Sequence, residues 1–136
     1  SVGGTPQEPS ADTKDMQITA NVEESVSAPS YTVTVPSSVE LGTLSTEEDN
    51  ARVYAVDVTA SDLNGEIAVT APETGSLTSD GNTLAFSNSF KTQTVNADTA
   101  GTKLSGTISI GKDAVAAAKA GNYTGTTTFS ITYKAN

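Results

Sequence analysis

Cysteine, histidine and tryptophan are all missing from this chain of 136 residues. Without cysteine there is no disulfide framework and no thiol nucleophile. Without histidine, acid–base work near neutral pH falls to carboxylates or lysine, and imidazole metal ligation is excluded. Aromatic residues make up only 5% of the chain. Basic residues are scarce too, 7 against 16 acidic ones, which gives a net charge of −9. A surface of that sign repels phosphate backbones and anionic headgroups, so no nucleic-acid partner and no membrane insertion is expected. No run approaches the roughly 18 apolar residues of a membrane span, and no signal peptide is recognisable. The chain opens Ser1-Val2-Gly3-Gly4 rather than on Met, and so reads as a processed or excised piece.

What the chain does have is serine and threonine, more than a quarter of all residues. Threonine's branched β-carbon suits solvent-facing strand positions. The clearest pattern is Asn122–Tyr133, where Tyr123, Gly125, Thr127, Phe129, Ile131 and Tyr133 alternate with Thr and Ser. A period of two built from aromatic and β-branched residues predicts a half-buried closing strand.

Residues 1–15 combine Gly, Pro, Ser and charge with almost nothing apolar, the composition of a flexible linker or N-terminal arm. Residues 16–136 carry the pattern of one domain. Met16, Ile18, Ala20 and Val22 alternate with polar residues as a first strand. Tyr31–Val35 predicts a second, ended by Pro36, with Val39–Leu41 continuing past a bend. In Ala51–Thr59 both faces carry apolar groups, which predicts a mid-sheet strand. Glu66–Ala71 is a strand stopped by Pro72, and Asp80-Gly81 predicts a hairpin between Ser76 and Phe86. Lys91–Val95 reads as an edge strand and Leu104–Ile110 as another strand. Lys112–Ala120, rich in alanine and closed by Gly121, is a short helical crossover between the last two strands. Seven to nine short strands at this spacing predict an all-β antiparallel sandwich.

Chemistry-bearing patterns are thin. Ser109-Ile-Gly-Lys112 matches a Ser-x-x-Lys spacing, but at a strand end and without partner motifs, so it reads as chance. Carboxylates are expected at the surface and the chain is expected not to be an enzyme. Asp57 interrupts an apolar run, so it must face solvent, pair with a cation, or stand beside a Lys–Asn isopeptide bond. Solvent-facing is the reading preferred here. Glu47, Glu48, Asp49 and Asn50, with Asp62, Asn64, Asp80 and Asn82, hold oxygens that calcium could use, but turn chemistry explains them first. No metal or cofactor is expected. For a sugar ligand, the aromatic best placed for exposure is Phe90, between Ser89 and Lys91 near a turn. Asn122-Tyr-Thr124 matches an N-glycosylation acceptor.

The two ends of the chain carry a resemblance. Ile18–Val22, Tyr31–Pro36 and Leu41-Gly42, with the closing Gly121, Tyr123, Gly125, Phe129 and Ile131, resemble secreted bacterial surface proteins. The closing pattern is similar to the final strand of Ig-like surface modules of Gram-positive gut clostridia and of some pilin or fimbrial subunits. The resemblance implies an Ig-like sandwich exported to the bacterial cell surface, non-catalytic, serving structure, adhesion or fibre assembly. Its partners would be other surface-protein subunits or a host or glycan ligand. It implies an assembly role for Met16, Ile18, Ala20 and Val22, whose strand could instead pair within its own sandwich. The chain is expected as a monomer, with self-assembly as the variant. A carbohydrate-binding module is the alternative function.

Overall fold

A computed structural model describes residues 2–4 and 28–136. Among these the chain forms nine strands and one helix: β1 Val2–Gly4, β2 Ser30–Thr34, β3 Asn50–Ser61, β4 Gly65–Thr70, β5 Thr74–Ser79, β6 Asn82–Asn88, β7 Thr92–Val95, β8 Thr99–Ile110, α1 Lys112–Ala117 and β9 Ser130–Ala135. All pairings are antiparallel. One sheet runs β1-β2-β3-β8-β6-β5 and the second β7-β4-β9. The fold is an all-β sandwich, with the short helix crossing from β8 in one sheet to β9 in the other.

Burial alternates as a strand pleat requires. On β3, Tyr54, Val56, Val58 and Ala60 point inward, while Val53 is 67% exposed on the outer face. From the second sheet Ile67 and Val69 on β4 meet them in one continuous core with Leu104, Ile108 and Ile110 of β8. Each such side chain contributes about 1.5–3 kcal/mol when fully buried. The 12-residue strands β3 and β8 form the long central pair. The mid-sheet position expected for Ala51–Thr59 is found, although one face looks to solvent. At the β5–β6 turn, Asp80 and Gly81 both take positive φ, 49° and 81°, the conformation a two-residue hairpin needs.

Three expectations meet a different outcome. The closing strand begins only at Ser130, and residues 118–129 are almost wholly irregular. Its ladder partner β4 explains this: Thr70 pairs Ser130, Ala71 turns its N–H the other way to the Lys91 carbonyl, and Pro72, next in turn to face β9, has none to give. Alternation alone cannot hold a strand that has run out of partner. Val39–Leu41 likewise forms no strand. Val2–Gly4, within the segment read as an arm, pairs with β2 as an edge strand. The strand expected over Met16, Ile18, Ala20 and Val22 lies outside the described residues.

Candidate binding cavity

The two sheets differ in extent, and the difference creates the site. The three-stranded sheet covers one half of the inner face of its partner. Over the other half, at Tyr54, Leu84, Phe86, Ile108 and Ile110, the cover is residues 35–44 and 118–127, with Phe129 beside them. Between cover and floor lies a cavity of about 850 Å³, within the size range of small-ligand pockets.

Each cover is held by side chains acting on backbone. In the first, Asn50 Oδ1 accepts the Ser45 N–H at 2.7 Å, and Asn50 Nδ2 donates to the carbonyls of Ser45 and Ile110 at 3.1 and 3.2 Å. Ser45 Oγ accepts the N–H groups of Glu47 and Glu48, and Asp49 Oδ1 accepts the Lys112 N–H at the start of α1. The acidic loop is therefore knitted by turn chemistry. Likewise Asp98 takes the N–H groups of Asp62 and Leu63 at 3.1 and 2.8 Å, holding a turn in which Asp62 sits at φ 55°. Among the described residues no group of three or more Asp and Glu is placed to hold a metal ion.

The second cover, residues 118–129, is a strap. Thr124 and Thr78 exchange both backbone hydrogen bonds, at 2.8 and 3.0 Å, joining the strap to the edge of β5. The Tyr123 hydroxyl donates to the Lys119 carbonyl at 2.6 Å. Gly125 is pressed against β5: a Cβ there would lie 2.7 Å from the Ser76 carbonyl and 2.9 Å from the Leu77 side chain. Glycine is required by that close approach.

Beneath the strap stands an aromatic cluster. Phe90 and Phe129 meet edge to face at 5.1 Å, and Tyr54 lies 6.2 Å from Phe90 and 6.0 Å from Phe129. The Tyr54 hydroxyl donates to Asn88 Oδ1 at 2.7 Å, an oxygen that also accepts the Phe90 N–H at 3.1 Å. Burial pushes the Tyr54 phenol above its usual pKa.

Phe90, the aromatic expected to be exposed for ligand contact, is instead 2% exposed. Its N–H is tied back to Asn88, and Lys91 beside it takes φ 57°. The reversal leaves the ring in the core, so it is withdrawn as a sugar-contacting residue. Asp57 faces solvent as expected and receives the Lys103 ammonium at 2.6 Å, both side chains being well exposed. The site residue the sequence reading missed is Asn88. Its signal was present: Leu84, Phe86 and Asn88 fall on one face of β6, so a polar group was bound for the interior.

No family model and no curated protein sequence matches this chain.

Proposed function

We propose that this chain is a non-catalytic extracellular module of a bacterial surface or secreted protein, acting in structure, adhesion or assembly. One observation favours this over the carbohydrate-binding alternative. All seven aromatic residues fall within the described region, and none of them is exposed as a platform. Tyr54, Phe86 and Phe90 are core residues, and Phe129 packs against them. Tyr31 and Tyr133 are half-buried and stack on each other across the two sheets at 6.3 Å. Tyr123 is half-buried and tied to its own strap. Sugar recognition by ring stacking needs an open aromatic face, whereas a module that bears load or joins neighbours needs none. The cavity itself supports a binding rather than a catalytic reading. Among the described residues the ionisable side chains lining it are Glu40, Lys119 and the two tyrosines Tyr54 and Tyr123, with no pair of carboxylates among them.

The test is a titration of the isotope-labelled chain with a panel of soluble oligosaccharides, followed by amide chemical shifts. The reading predicts no saturable shift. Saturable shifts centred on Tyr123 or on the Tyr31–Tyr133 pair, abolished by the corresponding alanine variant, would transfer the chain to the carbohydrate-binding class.

A further inference from the structure

Among the described residues the edge of β5 is guarded only by the strap, which hydrogen-bonds it at Thr124 and packs on it at Gly125. In the β5–β6 hairpin the two-residue turn fixes Ser79 opposite Asn82, and with it the parity of every residue above it. Gly75, Leu77 and Ser79 direct their backbone groups toward β6. Thr74, Ser76 and Thr78 direct theirs to the free edge, as the double hydrogen bond of Thr78 with Thr124 shows. Among the described residues β5 has no other edge partner than Thr124.

The other sheet edges are managed differently. β1 and β7 are three and four residues long, and β9 carries Lys134. Short strands and an edge lysine both discourage pairing with a second chain. β5 has six residues, Thr74-Gly-Ser-Leu-Thr-Ser79, with no charge and no proline. Its edge is also self-complementary. With a two-fold axis at Ser76, Thr74 faces Thr78 of a second copy, Ser76 faces Ser76, and Thr78 faces Thr74, all as hydrogen-bonded pairs. The side chains beside that seam on the outer face are hydroxyls, so no apolar group is stranded.

We propose that β5 is a homotypic interface: two copies of this chain pair antiparallel along Thr74–Thr78, joining their six-stranded sheets, once the strap lifts Thr124 from Thr78 and Gly125 from Ser76. The inference rests on the assembly arm of the function proposed above and names its partner as a second copy. The arrangement is closed and isologous, as a two-fold dimer requires, and it uses main-chain ladder bonds for affinity. Glu73 and Asp80 flank the edge. In the pair they bring like charges toward one another, so the dimer strengthens as salt screens them.

The experiment is solution mass by light scattering and sedimentation, from micromolar to millimolar chain. The wild type is compared with Thr124→Pro, which removes the strap's donor to Thr78, and with Ser76→Glu, which sets two carboxylates at the axis. A third protein, Thr78→Cys/Thr124→Cys, locks the strap onto β5. Hydrogen-bonded antiparallel positions have Cα atoms about 5.5 Å apart, within disulfide reach, and the chain has no other cysteine. Expected are a concentration-dependent dimer, a dissociation constant about tenfold tighter in Thr124→Pro, loss of the dimer in Ser76→Glu, and a monomer for the locked protein that dimerises again on reduction. A dimer that ignores both Ser76→Glu and the lock overturns the β5 interface alone and leaves assembly through another surface. Monomers throughout, in wild type and Thr124→Pro alike, overturn the interface and the assembly role together.

Discussion

The Tyr54 hydroxyl donates to Asn88 Oδ1 at 2.7 Å inside an otherwise apolar core. That oxygen serves two donors, because the Phe90 N–H reaches it as well. Removing the acceptor strands both donors, whereas removing the hydroxyl strands neither of the other two groups. Asn88→Ala is therefore expected to cost about 2–4 kcal/mol: two buried donors left unpaired cost about 1–3 kcal/mol each, offset in part by removal of the buried Asn88 Nδ2, which has no partner among the described residues. Tyr54→Phe is expected to cost only about 1 kcal/mol. Urea unfolding of the two variants checks the order, and equal losses would contradict it.

The raised Tyr54 pKa makes stability depend on alkali. The folded chain holds the phenol protonated more firmly than the unfolded chain, whose value is near 10. The stabilisation is therefore complete below pH 10 and is lost as pH rises through the higher folded value. Midpoints of unfolding followed from pH 9 to 11 (about the span of interest) should fall more steeply for wild type than for Tyr54→Phe. Parallel curves would show that Tyr54 is not the group responsible.

Gly106 lies under the same ring: a Cβ added there would meet the Tyr54 hydroxyl at 2.5 Å and Cζ at 2.6 Å. Gly106→Ala is expected to push Tyr54 off Asn88 and to cost about 1–3 kcal/mol, the usual range for overpacking. Combining it with Tyr54→Phe should give less than the sum, because both disturb one hydrogen bond. Additive losses would contradict the shared cause.

The Asp57–Lys103 pair makes the opposite prediction. Although short, it joins two side chains that are 46% and 70% exposed. Exposed pairs contribute about 0–1 kcal/mol. Asp57→Asn should shift the urea midpoint by no more than about 0.5 kcal/mol in free energy, and less still at high salt. A larger loss would mean that Asp57 supports something beyond its exposed partner.

The strands that sequence made legible are those whose pattern and partner coincide. β3, β4, β5, β6 and β8 all carry inward alternation, and each has a neighbour along its length. The hairpin at Asp80-Gly81 was legible because the turn demands positive φ. The strap was not. Residues 122–129 alternate as cleanly as any strand in the chain, but whether β4 reaches far enough to pair with them is a tertiary fact. Pro72 is the clue, although in sequence it marks only the end of its own strand. Phe90 misled for a similar reason. Polar neighbours suggest exposure, yet Asn88 two residues earlier draws the backbone back and leaves the ring inward. The cavity follows from the first of these, since it lies between the strap and the floor that Tyr54 and Phe86 complete.

The measurement that tests the account most directly is protease shaving of intact cells of the source organism, with peptides of this chain read by mass spectrometry. A surface module predicts that peptides such as those spanning Lys103–Lys112 and Lys119–Lys134 are released before the cells are broken. Their appearance only after lysis, with intact-cell digests empty of this chain, would contradict the extracellular placement on which the proposed function stands.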